Sequence, residues 1–292
     1  MPSLGIPVLV ELEGVYYRYP DSSDWVLKNI NFKAGEGEFI LILGPSGCGK
    51  STLARVLNGL IPNFYGGLLD GKINIVGNDP RKVPTYEMSR HVGFVFQNPE
   101  NQLFFTNVER EVAFGLENLG YPPDEIRRRV LKVLEEYDLM ELREKSPFEL
   151  SGGQQQKVAL ASVMALEPRV LILDEPTANL DPLSALKVLG LVKKKTLESK
   201  LATLVIEHRL EIVLPFAERV VVMAEGEIVY DGDPLGALER YGYLTGKPFI
   251  IRLIERLEKE GIQLKAKSLS PEDVAASLLD ILERGVTRVG GN

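Results

Sequence analysis

Eight residues, Gly44-Pro45-Ser46-Gly47-Cys48-Gly49-Lys50-Ser51, constrain this chain more than any others. They match GxxxxGK[ST] at every fixed position, and the unbroken apolar run Phe39-Ile40-Leu41-Ile42-Leu43 leads directly into them. A short run that is apolar on both faces of the pleat suits a strand buried in a parallel sheet. Ser51 to Asn58 then reads as a helix, so the pattern predicts strand, tight loop, helix. Glycines let the backbone N–H groups of such a loop approach phosphate, and the positive end of the following helix faces the negative charge. Gly44, Ser46, Gly47, Cys48, Gly49 and Thr52 are therefore expected around the phosphates. Lys50 is expected to bridge the β- and γ-phosphates and the Ser51 hydroxyl to ligate Mg²⁺. Cys48 is expected to contribute its backbone rather than its side chain. As the only cysteine it cannot form an internal disulfide, which fits a reducing compartment.

A second acidic feature stands at Val170-Leu171-Ile172-Leu173-Asp174-Glu175-Pro176. Four apolar residues ending in two carboxylates predict a central parallel strand whose carboxyl end reaches the phosphates, where open α/β sheets bind ligands. Taken alone, the run also describes an ordinary strand followed by an acidic loop, with Pro176 ending the pairing. The phosphate loop upstream favours the chemical reading. Asp174 would then hold the Mg²⁺ shell, and Glu175 would orient or deprotonate the attacking water.

Leu150-Ser151-Gly152-Gly153-Gln154 opens a long helical pattern running towards Leu166. Ser151 is a good N-cap and Gln154 stands at N3, so the run predicts a capping box. A capping box does not need Gly152 and Gly153, and glycine costs about 1 kcal/mol in a helix relative to alanine. Bare glycines at a helix N-terminus suit the close approach of an anion, here a γ-phosphate. Because the chain's own phosphate loop already occupies one side of that group, this helix is expected to serve a nucleotide held by another subunit.

These motifs and their order resemble those of the ATP-binding cassette (ABC) ATPases, over roughly residues 8 to 235. The resemblance implies an α/β fold of the P-loop NTPase type, with a RecA-like core sheet and an antiparallel β-subdomain. It also implies a helical subdomain, inserted at roughly 98–167, that carries the signature motif. Through it, Gln97 in Val95-Phe96-Gln97-Asn98-Pro99 looks like the glutamine that touches Mg²⁺ and the attacking water and relays contact with a membrane partner. Asp181 in Ala178-Asn179-Leu180-Asp181 looks like the aspartate that communicates across the ATPase dimer, and His208 in Val205-Ile206-Glu207-His208 like the histidine that contacts the γ-phosphate. Tyr19 looks like the aromatic that stacks on adenine, with Tyr16 and Tyr17 as competitors. The implied cofactors are ATP and Mg²⁺.

Among 292 residues, 45% are apolar, enough to bury one large core or two smaller ones. A net charge of −7 and a pI near 5.2 argue against nonspecific nucleic-acid binding. The densest basic runs, Arg127 to Arg129 and Lys193 to Lys195, sit among acids or in helical patterns and read as solvated faces. No apolar stretch is long enough to span a bilayer, and the N-terminus lacks a signal pattern. The chain is thus expected to be soluble by itself, peripheral at the cytoplasmic face of the cell membrane, with any membrane role exercised through a partner.

Residues 8 to 48 read as β-rich, Lys72 to Val76 as another strand, and the stretch from Glu100 to about Glu167 as helical, with Val130, Val133, Leu134 and Tyr137 at helical spacing. Val220-Val221-Val222-Met223, a turn at Glu225-Gly226, and Ile228-Val229-Tyr230 predict an antiparallel hairpin. A C-terminal helical extension is expected over 236–292. Within it, Pro248 to Glu260 is amphipathic through Ile250, Ile251, Ile254 and Leu257. A further helix starts at Ser270 as N-cap with Pro271 at N1 and carries Val274, Leu278 and Ile281 on one face. This tail either packs on its own subunit or joins two subunits.

Within the family, the run from Phe96 to Phe104, then Glu111-Val112-Ala113-Phe114-Gly115 and Asn118-Leu119-Gly120, together with the short tail, looks like the ATPases of energy-coupling-factor (ECF) transporters. That resemblance implies import of a vitamin or transition metal ion by two ATPase subunits, identical or related, with a transmembrane coupling protein and a separate membrane protein that captures the substrate. The alternatives are the ATPase of another ABC transporter, a soluble ABC ATPase acting on nucleic acid or ribosomes, and a regulatory nucleotide-binding module.

Overall fold

The structure, a computed structural model, describes residues 6–262 and 271–284. Strands β1 (Val8–Arg18), β2 (Leu27–Gly35) and β4 (Leu68–Ile75) form an antiparallel sheet in the order β2-β1-β4. The strand expected at Lys72 to Val76 begins four residues earlier, and Val76, with a φ of 49°, already belongs to the turn after it. Strand β3 (Phe39–Leu43) leaves this β-rich region for the main sheet. There it joins β5 (Val92–Val95), β6 (Val170–Asp174), β7 (Ala202–Ile206), β8 (Arg219–Ala224) and β9 (Glu227–Gly232) in the order β5-β6-β7-β3-β8-β9. All neighbours are parallel except β8 and β9, which form the expected hairpin.

Both faces of this sheet are covered, which is why its strands are apolar without alternation. Phe39, Leu41 and Leu43 of β3 and Leu171 and Leu173 of β6 point into one core, and Ile40, Ile42, Val170 and Ile172 into the other. The first core is roofed by helices α4 (Val108–Asn118), α5 (Pro123–Glu136), α6 (Gly152–Met164) and α7 (Pro182–Glu198). The second lies between the sheet, the antiparallel layer and α1 (Lys50–Leu57). Three one-turn helices, α2 (Leu60–Asn63), α3 (Thr85–Met88) and α8 (Leu210–Val213), punctuate the connections.

A helix that the sequence reading did not isolate, α9 (Pro234–Thr245), runs through the expected cassette boundary at residue 235. Its signal is local: Asp233 caps Gly236 N at 2.8 Å and proline follows at N1. Ala237 and Leu238 bury it in the main core. In α10 (Phe249–Lys259), Ile250, Ile251 and Ile254 pack on that same core, so this part of the tail covers its own subunit. The final helix, α11 (Pro271–Arg284), buries Val274 and half-buries Leu278 and Ile281; its expected cap, Ser270, lies outside the described residues.

The β8–β9 turn fixes the phosphate loop. Gly226 N donates to Cys48 O at 3.1 Å, and Lys28 N donates to Gly226 O at 2.8 Å. Gly226 has a φ of +87°, and a Cβ there would stand 2.5 Å from Val26 O. Gly226→Val should therefore lower stability by roughly 2–4 kcal/mol, combining positive-φ strain with a backbone clash, as read by urea denaturation.

Candidate functional site

The register of the main sheet brings the site together. Asp174 lies opposite Ile206, so β6 and β7 end level and release Glu175 and His208 side by side at the carboxyl edge of the sheet. Leu43 of β3, two strands from β6, delivers the glycine loop to the same edge.

In that loop Gly44 (φ +146°), Gly47 (φ +79°) and Gly49 (φ +109°) occupy backbone space that side chains avoid. Gly44 is the tightest, because a Cβ there would stand 2.1 Å from Met223 O and 2.8 Å from Cys48 Sγ. The Cys48 side chain is therefore more than a bystander: it is buried under the loop and backs Gly44. Gly49 is the N-cap of α1 and has no side chain with which to cap the first-turn N–H groups. The Lys50 ammonium is held over the loop, donating to Gly44 O at 2.7 Å and Pro45 O at 2.9 Å.

Burial pushes the Asp174 carboxyl above its ordinary value, while a hydrogen bond from Ser51 and the charges of Arg55 and Lys50 pull the other way. Ser51 and Asp174 thus face one another as a hydroxyl and carboxylate pair beside a cation, the donor set that holds Mg²⁺ together with substrate phosphates. Next in sequence, Glu175 has a φ of 51°, a left-handed conformation costing of order 1–3 kcal/mol for a residue with a side chain. The bond from Glu175 N to Ile206 O at 2.8 Å sustains it. The strained backbone places the Glu175 carboxylate between two partners. Gln97 Nε2 donates to Oε2 at 2.7 Å, and His208 Nε2 stands 3.3 Å from Oε1. Gln97 and His208, far apart in sequence, therefore converge on one carboxylate, and His208 remains 45% exposed on that side. Such a group can fix and polarise a water molecule in the plane of its hydrogen bonds.

Tyr19 lies on the flank of α1. Its hydroxyl lies 3.2 Å from Thr52 Oγ1 and accepts from Arg55 at 3.2 Å, while the Arg55 guanidinium covers the Tyr65 ring. The two competing tyrosines have other places: Tyr17 is fully buried, and Tyr16 packs edge-on to Trp25. The sequence reading missed Arg55, although its spacing of four from Ser51 puts it one helical turn along the same face.

Asp181 and the signature segment stand apart from the Gln97, Glu175 and His208 group. The Asp181 carboxylate caps α7, accepting from Leu183 N and Ser184 N at 3.0 Å each; the Ser184 hydroxyl, together with these backbone bonds, holds its carboxyl below the usual range. The signature segment forms the full capping box, with Gln154 N donating to Ser151 Oγ and Ser151 N to Gln154 Oε1. Its glycines rest beside that loop and the helix it opens: a Cβ on Gly152 would meet Asn179 O at 3.5 Å, and one on Gly153 would meet Ser184 Oγ at 3.3 Å. Asn179 in turn donates to Asn98 next to Gln97. The missed elements here are Thr177, Glu207 and Arg209, which tie the loops after β6 and β7 together. Their only sequence signal is a Glu and an Arg flanking a histidine directly after the apolar run Leu204-Val205-Ile206.

Comparison with known proteins agrees with this geometry. The ABC transporter family matches residues 27–178, and the chain belongs to that family, as an ATP-binding cassette ATPase. Relatives include a putative ABC transporter ATP-binding protein of Pyrococcus horikoshii, 42% identical over 89% of this chain and 91% of its own length. Another, from Methanosarcina mazei, is 45% identical over 94% of this chain, which spans only 47% of that longer protein. Among solved structures, CbiO1 from Clostridium perfringens, part of the ABC transporter complex CbiONQ, is similar with a TM-score of 0.73 and 33% identity, covering 87% of this chain and 98% of its own. The cassette MJ0796, seen as a dimer bound to ADP and Pi, gives a TM-score of 0.65 and 29% identity over 77% of this chain and 98% of its own.

The raised Asp174 pKa has a consequence for the ligand-free protein. Below the ordinary aspartate value of 3.8 the group is protonated whether the chain is folded or not. As pH rises past that value the unfolded chain loses its proton first, so stability falls until the folded group has ionised as well. Asp174→Asn should raise the ligand-free melting temperature at neutral pH, with the gain vanishing as pH falls towards 3.8. Melting curves across pH check this.

Proposed function

We propose that this chain is the ATP-hydrolysing subunit of an ECF-type importer, acting at the cytoplasmic face of the cell membrane and powering uptake of a vitamin or a transition metal ion. Two subunits, identical or related, hold two ATP molecules head to tail. Gly44 to Ser51 and Thr52 hold the phosphates of one nucleotide, Lys50 neutralises them, and Tyr19 lies along the base. Ser151, Gly152, Gly153 and Gln154 close on the nucleotide of the other subunit, with the capped Asp181 loop beside them. Gln97 and Glu175 orient the attacking water, Glu175 takes its proton, and His208 supports the γ-phosphate side. Ser51, Asp174 and Gln97 are the residues that would hold Mg²⁺, which when bound supplies charge neutralisation to the transferring phosphoryl group.

ATP binds the closed pair of subunits more tightly than the open pair, and that difference shifts the population towards closure; hydrolysis reverses it. The energy reaches the membrane through a transmembrane coupling protein, which works with a separate substrate-capturing membrane protein. The segment around Gln97 suits such a contact. Phe96 and Phe104 are exposed, and Phe104 packs with Phe105 and Phe114 over a turn whose Phe104 and Phe105 N–H groups both donate to buried Glu111. Among the described residues no helix is long and apolar enough to cross a membrane, so the proposal needs those partners.

The observation that carries the importer reading is the likeness to CbiO1, part of the ABC transporter complex CbiONQ, over 87% of this chain. Affinity purification of the tagged chain from gently solubilised native membranes tests it. The expected result is co-purification of a polytopic membrane protein and a small membrane-embedded binder. Recovery of soluble nucleic-acid or ribosomal partners alone contradicts it.

A further inference from the structure

Glu207 is a carboxylate with 2% exposure at the end of a buried strand, a position that is unfavourable unless every oxygen is bonded. Here it is. Its Oε2 accepts from the hydroxyl and the backbone N–H of Thr177, a fully buried residue of the loop after β6. Its Oε1 accepts from His208 N at 2.8 Å and Arg209 N at 3.1 Å. One carboxylate thus spans two loops and fixes the backbone from which the His208 side chain projects. Arg209 closes the arrangement from the other side, donating to Thr177 O at 2.8 Å and Leu180 O at 2.7 Å. Leu180 immediately precedes the Asp181 cap, and the loop it belongs to is the one that Gly152 rests against, while Gly153 faces Ser184 in the first turn of the helix that follows.

We infer that Glu207 and Arg209 are positioning residues that lock the Thr177–Leu180 loop and the His208 loop into one body, so that the signature-bearing side of the subunit and the His208 side move together. This rests on the reading of Glu175, Gln97 and His208 as the hydrolytic group, because the brace has catalytic meaning only through the 3.3 Å contact between His208 and Glu175. It does not touch the phosphate loop. Removing it should leave nucleotide affinity intact and misplace His208, which separates it from a contribution to folding alone.

The test is steady-state ATP hydrolysis by the full chain, with binding of a fluorescent ATP analogue and melting temperature measured alongside. Arg209→Met keeps the length of the side chain and removes its donors. It should lower kcat about tenfold with KM and analogue affinity within about twofold, well below its melting temperature. Arg209→Lys, which can serve one carbonyl at a time, should fall between the two. Glu207→Gln keeps shape but turns an amide N–H towards the Thr177 N–H. Its effect on kcat combined with Thr177→Val should be smaller than the two single effects multiplied, as expected of groups acting as a unit. Glu175→Gln is the control for the underlying reading and should abolish turnover with binding retained.

Lost turnover in Glu175→Gln alongside unchanged kcat in Arg209→Met overturns the brace alone. So does a loss of kcat in Arg209→Met that only tracks the fraction unfolded. Unmodified turnover in Glu175→Gln overturns the hydrolytic reading, and the brace with it.

Discussion

The level ending of strands β6 and β7 is the constraint on which the site depends. Because Asp174 pairs with Ile206, the carboxylates after one strand and the histidine after the next emerge together at the carboxyl edge of the sheet. The glycine loop reaches that edge from β3, on the far side of β7. A parallel sheet buried on both faces holds such a register firmly, since a slip of one residue would exchange the two cores. The helical roof and the antiparallel layer are thus what keep Glu175 within reach of both Gln97 and His208.

That rigidity sustains two unfavourable local states. Glu175 is kept in a left-handed backbone conformation, and Glu207 is kept as a buried carboxylate. Each is compensated by specific hydrogen bonds, to Ile206 O in the first case and from Thr177, His208 and Arg209 in the second. Strain that the surroundings over-determine concentrates where geometry matters for chemistry. Its location here, on adjacent strands at one edge, fits a site that positions a water molecule beside a phosphate.

Most of what was encoded locally was legible in the sequence. The glycine loop, the Asp174-Glu175 pair, the β8–β9 hairpin and the Ser151 capping box each lie within a short run, and each took the form that its residues suggested. The convergence of Gln97, Glu175 and His208 could not be read from spacing, because 78 residues separate Gln97 from Glu175, and only family resemblance supplied it. The brace of Thr177, Glu207 and Arg209 was invisible for the same reason: its hydrogen bonds join loops about thirty residues apart. Two misses had a local signal that went unread. Asp233-Pro234 announces helix α9 as plainly as Asp181-Pro182 announces α7, and the Asp181 side chain proved to be such a cap. Cys48 shows a further limit, since its burial under Gly44 depends on how the loop folds back, which composition does not reveal.

The central claim is that each ATP site is assembled from two chains, and complementation between two inactive variants tests it most directly. Lys50→Ala spoils a subunit's own phosphate loop, and Gly153→Asp spoils the signature it offers to another. A mixed dimer then holds one site with both defects and one with neither. Co-expressed variants should recover hydrolysis that neither shows alone, about a quarter of the unmodified rate if subunits mix at random and each intact site works by itself. A purified mixed dimer as inactive as its parents would contradict the account.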